Sequence, residues 1–517
     1  MISSEFKGIT GYNGHSVVSD YVNMIPMGAS ALDRVGETEL INHGQTSDLS
    51  KVRGSFVDSL HNIYIVISDK VIRYSYDGAT TTRIGVMGGK VNSTELPEYN
   101  LLNAVGEVTF CETSTKPSQV MMCDGKYIYW WNTTGDESFT IQMMLSPGIA
   151  MADGVQYSPF DMREQIEDGL DQPYDTSSMA EVSSITWFNN RLVATQPDKN
   201  TVWLTCTDPA QFFRADLDPF DEQVPLWPDW YSSTNSADRL RQAIAFAGQL
   251  YLLNDSTIEC WVATGDESAP LTPSSMGTVY HGGRSPYILN DAMYLVCKDQ
   301  IGCEYIGCMS SGGQFSRVSN PEIEKRVSGR IDSLTAISMR ESTFICVRLP
   351  ENGEMFCYST DGWWHLVNSA RSLDWLLCSL IDDIALSAYG SIMRLDVSHR
   401  NDITGTPIAR SVRDWFQLFP SRKIIRQVGV VMDTGAKLDE GVLTSDGIDV
   451  GNEIYCRVSF SRGLSFGPRV NRRLGKKACN DRDIVWRNLG SGNNVMVEFG
   501  TSSNYSLQIY SVEIVAE

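Results

Sequence analysis

Residues 241–307 read RQAIAFAGQLYLLNDSTIECWVATGDESAPLTPSSMGTVYHGGRSPYILNDAMYLVCKDQIGCEYIG. This stretch contains the same pattern twice, in which short apolar runs alternate with short polar breaks. The first copy spans 243–262 and turns at Asn254-Asp255-Ser256, and the second spans 287–306 and turns at Asn290-Asp291. Short runs rich in β-branched and aromatic side chains, bounded by Asn, Asp and Gly, indicate strands joined by hairpins. The stretch therefore predicts two small antiparallel meanders.

Copies offset by roughly 40 to 50 residues are typical of β-propeller blades, because each blade buries its faces only against its neighbours. Similar patterns of apolar runs and turns recur along the chain, at 54–76, 108–131, 184–205, 337–364 and 374–396. We therefore predict an all-β fold with a β-propeller of six or seven blades over residues 51–400. Residues 1–50 read as an extended amino-terminal arm, and we expect this arm to supply a strand that closes the ring.

Two other regions depart from the blade pattern. Residues 148–179 and 208–238 are long, acidic insertions that contain proline and aromatic residues. Loops of this length inside a compact fold are usually functional or contact a partner. From about Thr406 the strands become longer and their connections richer in arginine, which predicts a carboxy-terminal β-sandwich-like domain over 405–517.

The composition is that of a globular protein, with 42% apolar and 20% charged residues. The net charge of -21 is unevenly spread, because residues 405–517 carry +3 and the preceding residues carry -24. Such asymmetry suggests two surfaces with different roles, although acidity that serves only solubility is an equal alternative. The apolar runs are too short for a membrane span, and the amino terminus shows no export signal.

The 12 cysteines are scattered and include no Cys-x-x-Cys pair. Several lie within apolar runs, where a free thiol behaves as a small hydrophobic group. We expect neither a disulfide framework nor a zinc site, no dependence on metal or cofactor, and synthesis in a reducing compartment.

The sequence offers no selected catalytic constellation. Residues 359–364 and 459–466 are similar to the Ser-x-Asp-x-Gly-x-x-Trp box of sialidase-like propellers, but that box is a turn device in which Ser and Asp bond the backbone. A glycosidase would need paired carboxylates, and nothing in the spacing selects a pair among the many acidic residues. Phosphate loops, histidine metal motifs and nucleophile elbows are missing from the sequence. We therefore expect a protein that is not an enzyme.

Two sets of residues are candidates for contact with partners or with DNA. Aromatic side chains anchor interfaces, and arginine and lysine grip phosphate or acidic surfaces. The candidate partner interface consists of Trp227, Trp230, Tyr231, Arg472, Arg473, Lys476 and Lys477, and the candidate acidic channel or loop surface of Asp161, Glu164, Glu167 and Asp171.

Several segments together resemble the packaged-DNA stabilisation proteins of short-tailed bacteriophages, also called tail hub or nozzle proteins. The segments are 20–26 (DYVNMIP), 244–251 (IAFAGQLY), 256–261 (STIECW), Gly282-Gly283, 462–467 (RGLSFG), 472–475 (RRLG) and 485–490 (VWRNLG).

This resemblance implies a structural virion protein that acts in the tail and is assembled in the host cytoplasm. Such a protein forms a homo-oligomeric ring, a hexamer, below the portal and adaptor, closes the DNA exit channel and anchors tailspikes or tail fibres. Its expected partners are the tail adaptor or head-to-tail connector, a needle plug, and double-stranded DNA that passes without sequence-specific binding. It implies no catalytic residue. The alternatives are a sialidase-like glycan hydrolase and a propeller that binds host glycans.

Overall fold

The computed structural model is nearly all β-structure. It contains 37 strands and one short helix, α1 (Pro321–Val327), among the residues that it describes. The described residues are 6–11, 18–33, 36–41, 52–78, 81–91, 94–96, 101, 103–134, 138–142, 182–196, 200–205, 229–233, 238–266, 269–279, 281–340, 342–349, 353–367, 378–388, 390–396, 400–402, 405–434, 452–474, 479–503 and 506–517.

The chain forms two compact units. One comprises Met1–Gly44, Cys303–Ile306 and Arg317–Glu517, and the other comprises Gln45–Gly302 and Gly307–Ser316. The predicted boundaries of arm, propeller and carboxy-terminal domain follow a different criterion, the change in strand length and charge. They stay a prediction.

The amino-terminal strands are short. They are β1 (Asp20–Val22), β2 (Met24–Pro26), β3 (Ala31–Asp33) and β4 (Gly36–Ile41).

The unit that begins at Gln45 is built from four-stranded groups in which consecutive strands pair with each other. The first group is β5 (Val52–Val57), β6 (Asn62–Ile67), β7 (Lys70–Tyr76) and β8 (Thr81–Val91), with β9 (Thr94–Leu96) beside β8, and the second is β10 (Thr109–Glu112), β11 (Gln119–Cys123), β12 (Ile128–Asn132) and β13 (Ser138–Gln142). The third group is β14 (Ser184–Phe188), β15 (Arg191–Gln196), β16 (Thr201–Leu204) and β17 (Asp229–Ser232), and the fourth is β18 (Leu240–Phe246), β19 (Gln249–Asn254), β20 (Ile258–Ala263) and β21 (Leu271–Val279). The fifth group is β22 (Arg284–Leu289), β23 (Ala292–Lys298), β24 (Glu304–Ser310) and β25 (Phe315–Arg317). The first two groups share one nine-stranded sheet, because the last strand of the second group, β13, also pairs in parallel with β8 of the first.

Turn residues fix the hairpins of these groups. Asn290 and Asp291, between β22 and β23, both have positive φ, 48° and 57°. Two successive residues with positive φ form the turn whose twist matches that of the flanking strands, and Asn and Asp tolerate this conformation. The two meanders predicted from residues 241–307 are therefore present, with turns at the predicted positions.

The other unit contains two further groups. The first is β26 (Leu334–Met339), β27 (Ser342–Leu349), β28 (Glu354–Ser359) and β29 (Gly362–Val367), and the second is β30 (Cys378–Ile381), β31 (Ile384–Leu386) and β32 (Ile392–Asp396). The amino-terminal strand β4 pairs antiparallel with β32 and completes the second group. The arm thus supplies the closing strand, as predicted. The fold-class prediction of an all-β propeller is confirmed.

The carboxy-terminal strands form a bent sheet around two long strands of 25 and 23 residues. The strands are β33 (Arg410–Thr434), β34 (Glu453–Ser459), β35 (Val470–Arg473), β36 (Cys479–Thr501) and β37 (Gln508–Ala516). The longer strands expected from about Thr406 are present, and the longest of them, β33 and β36, each run without a break. Register shifts near Asp414 and Leu418 bend β33, and bulges of this kind let a long sheet curl into a half-barrel. The bent sheet packs Trp415 and Trp486 against Phe499.

Candidate functional site

Four charged residues lie opposite one another on four adjacent strands of the carboxy-terminal sheet. Asp20 of β1 is opposite Arg413 of β33, Arg413 is opposite Glu498 of β36, and Glu498 is opposite Arg457 of β34. Opposite residues project from the same face of a sheet and interact. We call Asp20, Arg413, Glu498 and Arg457 the charge row. Negative and positive side chains alternate along the charge row, so each carboxylate has an arginine beside it.

Glu498 is the centre of the charge row and is only 2% exposed. Its Oε2 accepts a hydrogen bond from Arg413 Nε at 3.0 Å, and its Oε1 accepts one from Arg457 Nε at 2.6 Å. The hydroxyl of Tyr455 donates to the same Oε1 at 3.0 Å. A buried carboxylate is costly unless it is paired and hydrogen-bonded. Here both of its oxygens are satisfied by donors.

Aromatic rings cover the arginines of the charge row. The ring of Phe466 lies 5.0 Å from the guanidinium carbon of Arg413 and 4.8 Å from that of Arg457. The guanidinium carbon of Arg469 lies 4.3 Å from the centre of the Tyr455 ring. Burial, followed by the charge of Glu498, raises the pKa of the Tyr455 hydroxyl to about 12. These cation–π contacts hold the segment between β34 and β35 against the sheet.

The β34–β35 hairpin, residues 453–473, presents an apolar tip and several cations. Leu464 is 86% exposed, and Arg462, Arg469, Arg472 and Arg473 are also exposed. Serine hydroxyls shape its turn, since Ser459 Oγ accepts from the backbone N–H of Gly463 and Ser461 Oγ accepts from that of Ser465. The prediction that residues 459–466 form a turn in which serine side chains bond the backbone is therefore confirmed.

The structure describes only some of the predicted site residues. Arg472 and Arg473 lie at the exposed end of β35. Tyr231 lies in β17, half-buried, with its ring 5.7 Å from that of Trp261, and its hydroxyl accepts from the backbone N–H of Leu271. Trp230 is in the same strand. The other candidates fall outside the described residues: Trp227, Lys476, Lys477, Asp161, Glu164, Glu167 and Asp171.

Tyr231 thus packs against the neighbouring four-stranded group, through Trp261 of β20 and Leu271 of β21. The described members of the candidate interface do not form one cluster within a single unit. The residues missed by sequence reasoning are Glu498 and Phe466. The apolar run before Glu498 indicates a strand, but it does not indicate which strands lie beside it.

Buried carboxylates in the propeller groups stabilise turns by accepting hydrogen bonds from backbone N–H groups. Asp124 accepts from the backbone N–H groups of Lys126, Tyr127 and Asn103 and from the hydroxyl of Tyr129. Burial raises the pKa of Asp124 in spite of these hydrogen bonds. Asp58 accepts from Leu60, Asn62 and Tyr64 in the same manner. Hydrogen-bond partners of this kind fix a hairpin, which gives both carboxylates a structural role.

The described residues contain neither a cluster of metal-ligating side chains nor a helix that could span a membrane. No group of three potential metal-ligating side chains occurs there. The helix found there is too short and polar to span a membrane.

Comparison with known families decides the assignment. The family model for Phage_stabilise, described as "Bacteriophage P22 Gp10, beta-propeller", matches residues 85–374. This chain belongs to that family. The protein is therefore a phage structural protein of DNA stabilisation and a component of the virion that assembles with other phage components. Comparison with curated protein sequences finds no match.

Solved structures with similar folds include propellers of other kinds. Virginiamycin B lyase from Staphylococcus aureus is 14% identical, with 70% of this chain and 98% of that chain covered and a TM-score of 0.41. The extracellular domain of a putative hybrid two-component system from B. thetaiotaomicron is 12% identical, with coverages of 80% and 44% and a TM-score of 0.37. A putative 6-phosphogluconolactonase from Bacteroides uniformis is 9% identical, with coverages of 68% and 90% and a TM-score of 0.34. Similarity this low carries no information about activity.

Proposed function

We propose that this phage structural protein is the tail hub, or nozzle, of a short-tailed phage. In this proposal a homo-oligomeric ring, a hexamer, lies below the portal and the adaptor, closes the DNA exit channel and retains the packaged DNA. The ring anchors tailspikes or fibres, accommodates a needle plug and is assembled in the host cytoplasm. The observation that carries the proposal is the family match over residues 85–374.

The charge of the chain supports this role. Packaged DNA must be held and later released, and a lumen rich in cations would bind phosphates and slow release. The -24 carried by residues 1–404 instead repels the duplex and leaves it mobile. Double-stranded DNA is accordingly a passing partner that is not read by sequence.

A phage that carries a nonsense mutation in this gene tests the proposal. We expect its heads to package DNA and then lose it, so that the DNA becomes sensitive to nuclease in otherwise complete particles. Electron microscopy of the parent virion with an antibody to this protein should label the tail. Stable full heads in the mutant, or label on the capsid shell, would rule out the nozzle role.

Within this role, the β34–β35 hairpin is the docking element we propose for an acidic surface of a neighbouring tail component. Leu464 supplies an apolar contact at the tip, and Arg472 and Arg473, with Lys476 and Lys477 beyond them, supply positive charge. An apolar anchor surrounded by charged residues is typical of protein interfaces. The cation–π contacts of Phe466 hold the hairpin in place before the partner arrives.

The variant Leu464→Ser/Arg472→Gln/Arg473→Gln should fold normally and assemble poorly. All three side chains are exposed, so each substitution changes stability by no more than about 0.5 kcal/mol. Losing a central anchor and two charges should weaken docking by about 100-fold. The measurement is incorporation into tails, scored by complementation of the nonsense mutant.

Ile301→Ser is the matched control, because Ile301 is 84% exposed at a turn of the other unit. We expect this variant to be incorporated like the parent protein. Equal incorporation of the hairpin variant would exclude the hairpin as a docking element.

The acidic insertions, residues 148–179 and 208–238, have a separate proposed role. Asp161, Glu164, Glu167 and Asp171 would repel DNA if the first insertion lines the channel, and Trp227 with Trp230 would anchor a neighbouring component if the second is a docking loop. Both insertions lie largely outside the described residues.

Limited proteolysis checks the proposed division of the chain. We expect the first cuts in the two acidic insertions or at 401–406, where the propeller gives way to the carboxy-terminal domain, because nicking concentrates in loops. Residues 241–307 are paired in two four-stranded groups and should resist. Mass spectrometry of the first fragments gives the sites. Early cleavage within 241–307 would contradict the blade assignment.

A further inference from the structure

Two buried cysteines lie side by side in neighbouring strands. Cys346 in β27 and Cys357 in β28 are directly opposite each other in an antiparallel pair. Both side chains have no solvent exposure, and their sulfur atoms are 2.6 Å apart. Bonded sulfurs are about 2.05 Å apart, so a movement of well under an ångström joins the two.

The backbone also suits a bond between them. Opposite residues in an antiparallel pair have Cα atoms about 4.5 or 5.5 Å apart, and disulfides span Cα separations of about 4.4 to 6.8 Å. Buried Cys456 offers a contrast in the same unit, because the residues opposite it are Val470 and Phe499. Juxtaposition of two thiols is therefore a property of the Cys346–Cys357 position and not of buried cysteines in general.

We propose that Cys346 and Cys357 are an oxidation site at which a peroxide converts the thiol pair into a cross-strand disulfide. One sulfur attacks the peroxide, the O–O bond breaks, and the sulfur becomes a sulfenic acid with release of water. The second sulfur then displaces the hydroxyl group, which leaves as a second water, and the S–S bond forms. The peroxide gains the two electrons that the two sulfurs lose.

The bond would lock one four-stranded group of the fold. It ties β27 to β28, and β28 pairs with β29, against which the amino-terminal strand β1 lies in parallel. The interior around the pair is aromatic, with Phe344 and Trp364 in edge-to-face contact, so bulky reductants are kept away. Hydrogen peroxide is a small molecule and reaches the pair by local opening of the strands. A virion component outside the cell is beyond the reducing thiols of the cytoplasm, and the bond would persist there. This inference does not depend on the nozzle role.

Mass spectrometry of the full-length protein tests the site. The protein is purified in reductant, and the reductant is then removed. Hydrogen peroxide is added, and the protein is denatured in the presence of an alkylating agent that marks the remaining free thiols. We expect a peptide pair linked through Cys346 and Cys357, about 2 Da lighter than the two free thiols, in at least roughly half of the chains. Cys456 should be alkylated in full. Complete alkylation of both Cys346 and Cys357 after peroxide treatment would overturn the proposal.

A melting curve measures whether the disulfide between Cys346 and Cys357 stabilises the fold. The oxidised protein should melt about 5 °C above the reduced protein, because a cross-link restricts the unfolded chain. The Cys357→Ser variant should show no difference between the two treatments. An oxidised parent protein that melts at or below the reduced midpoint would overturn the locking role.

Discussion

Replacing Gly282 by alanine is expected to lower the free energy of unfolding by about 3 kcal/mol or more. Gly282 has a φ of +58°, and a Cβ at this position would collide with the carbonyl oxygen of Asp255 and lie 2.7 Å from its carbonyl carbon. Backbone atoms cannot move aside as a side-chain end can. The adjacent Gly283 N–H donates to Asn254 O at 3.0 Å, which holds the two segments together. Urea unfolding followed by tryptophan fluorescence measures the loss.

The variant Gly248→Ala is the control that separates the cost of the close contact from the cost of the left-handed backbone conformation. Gly248 also has a positive φ, +73°, but a Cβ there would meet nothing within 4 Å. Only the left-handed conformation is penalised, at about 1 kcal/mol. Equal losses for the two variants would show that the contact with Asp255 is not what requires glycine at 282.

The local features of the fold could be predicted from the sequence. Hairpin turns such as Asn290-Asp291 depend on the conformational preferences of a few adjacent residues, and apolar runs of strand length depend on burial of one blade face. Both signals lie within roughly ten residues of chain. The Gly282-Gly283 pair that carried part of the family resemblance differs from these signals, because its cause is the close approach of Gly282 to Asp255, 27 residues earlier in the chain.

Register across distant strands could not be predicted in the same way. The charge row brings together residues 20, 413, 457 and 498, and no local pattern indicates that these positions are neighbours. The thiol pair is an intermediate case. The strands β27 and β28 follow each other in the chain and pair with Leu349 opposite Glu354. A pairing shifted by one residue would place Cys346 opposite Tyr358 and not opposite Cys357, so the register had to come from the structure.

Replacing Glu498 by glutamine is expected to lower the free energy of unfolding by about 3 kcal/mol. The carboxylate is 2% exposed and accepts from Arg413, Arg457 and Tyr455, so all of its neighbours are donors. A glutamine of the same size retains one acceptor oxygen and turns an N–H₂ group toward donors. The two guanidinium groups, about 30% and 26% exposed, then lose the negative charge between them. Chemical denaturation of the full chain measures the loss.

Glu517→Gln gives the matched comparison, because Glu517 pairs with Arg426 on the same sheet at 2.9 Å while both side chains are at least half exposed. Exposed pairs contribute about 0 to 1 kcal/mol and are screened by salt. The Glu498 variant should therefore lose stability to a similar extent at low and high salt, whereas any effect at Glu517 should fade as salt is added. Similar small losses for both variants would mean that Glu498 is solvated in solution and that the charge row does not hold the β34–β35 hairpin.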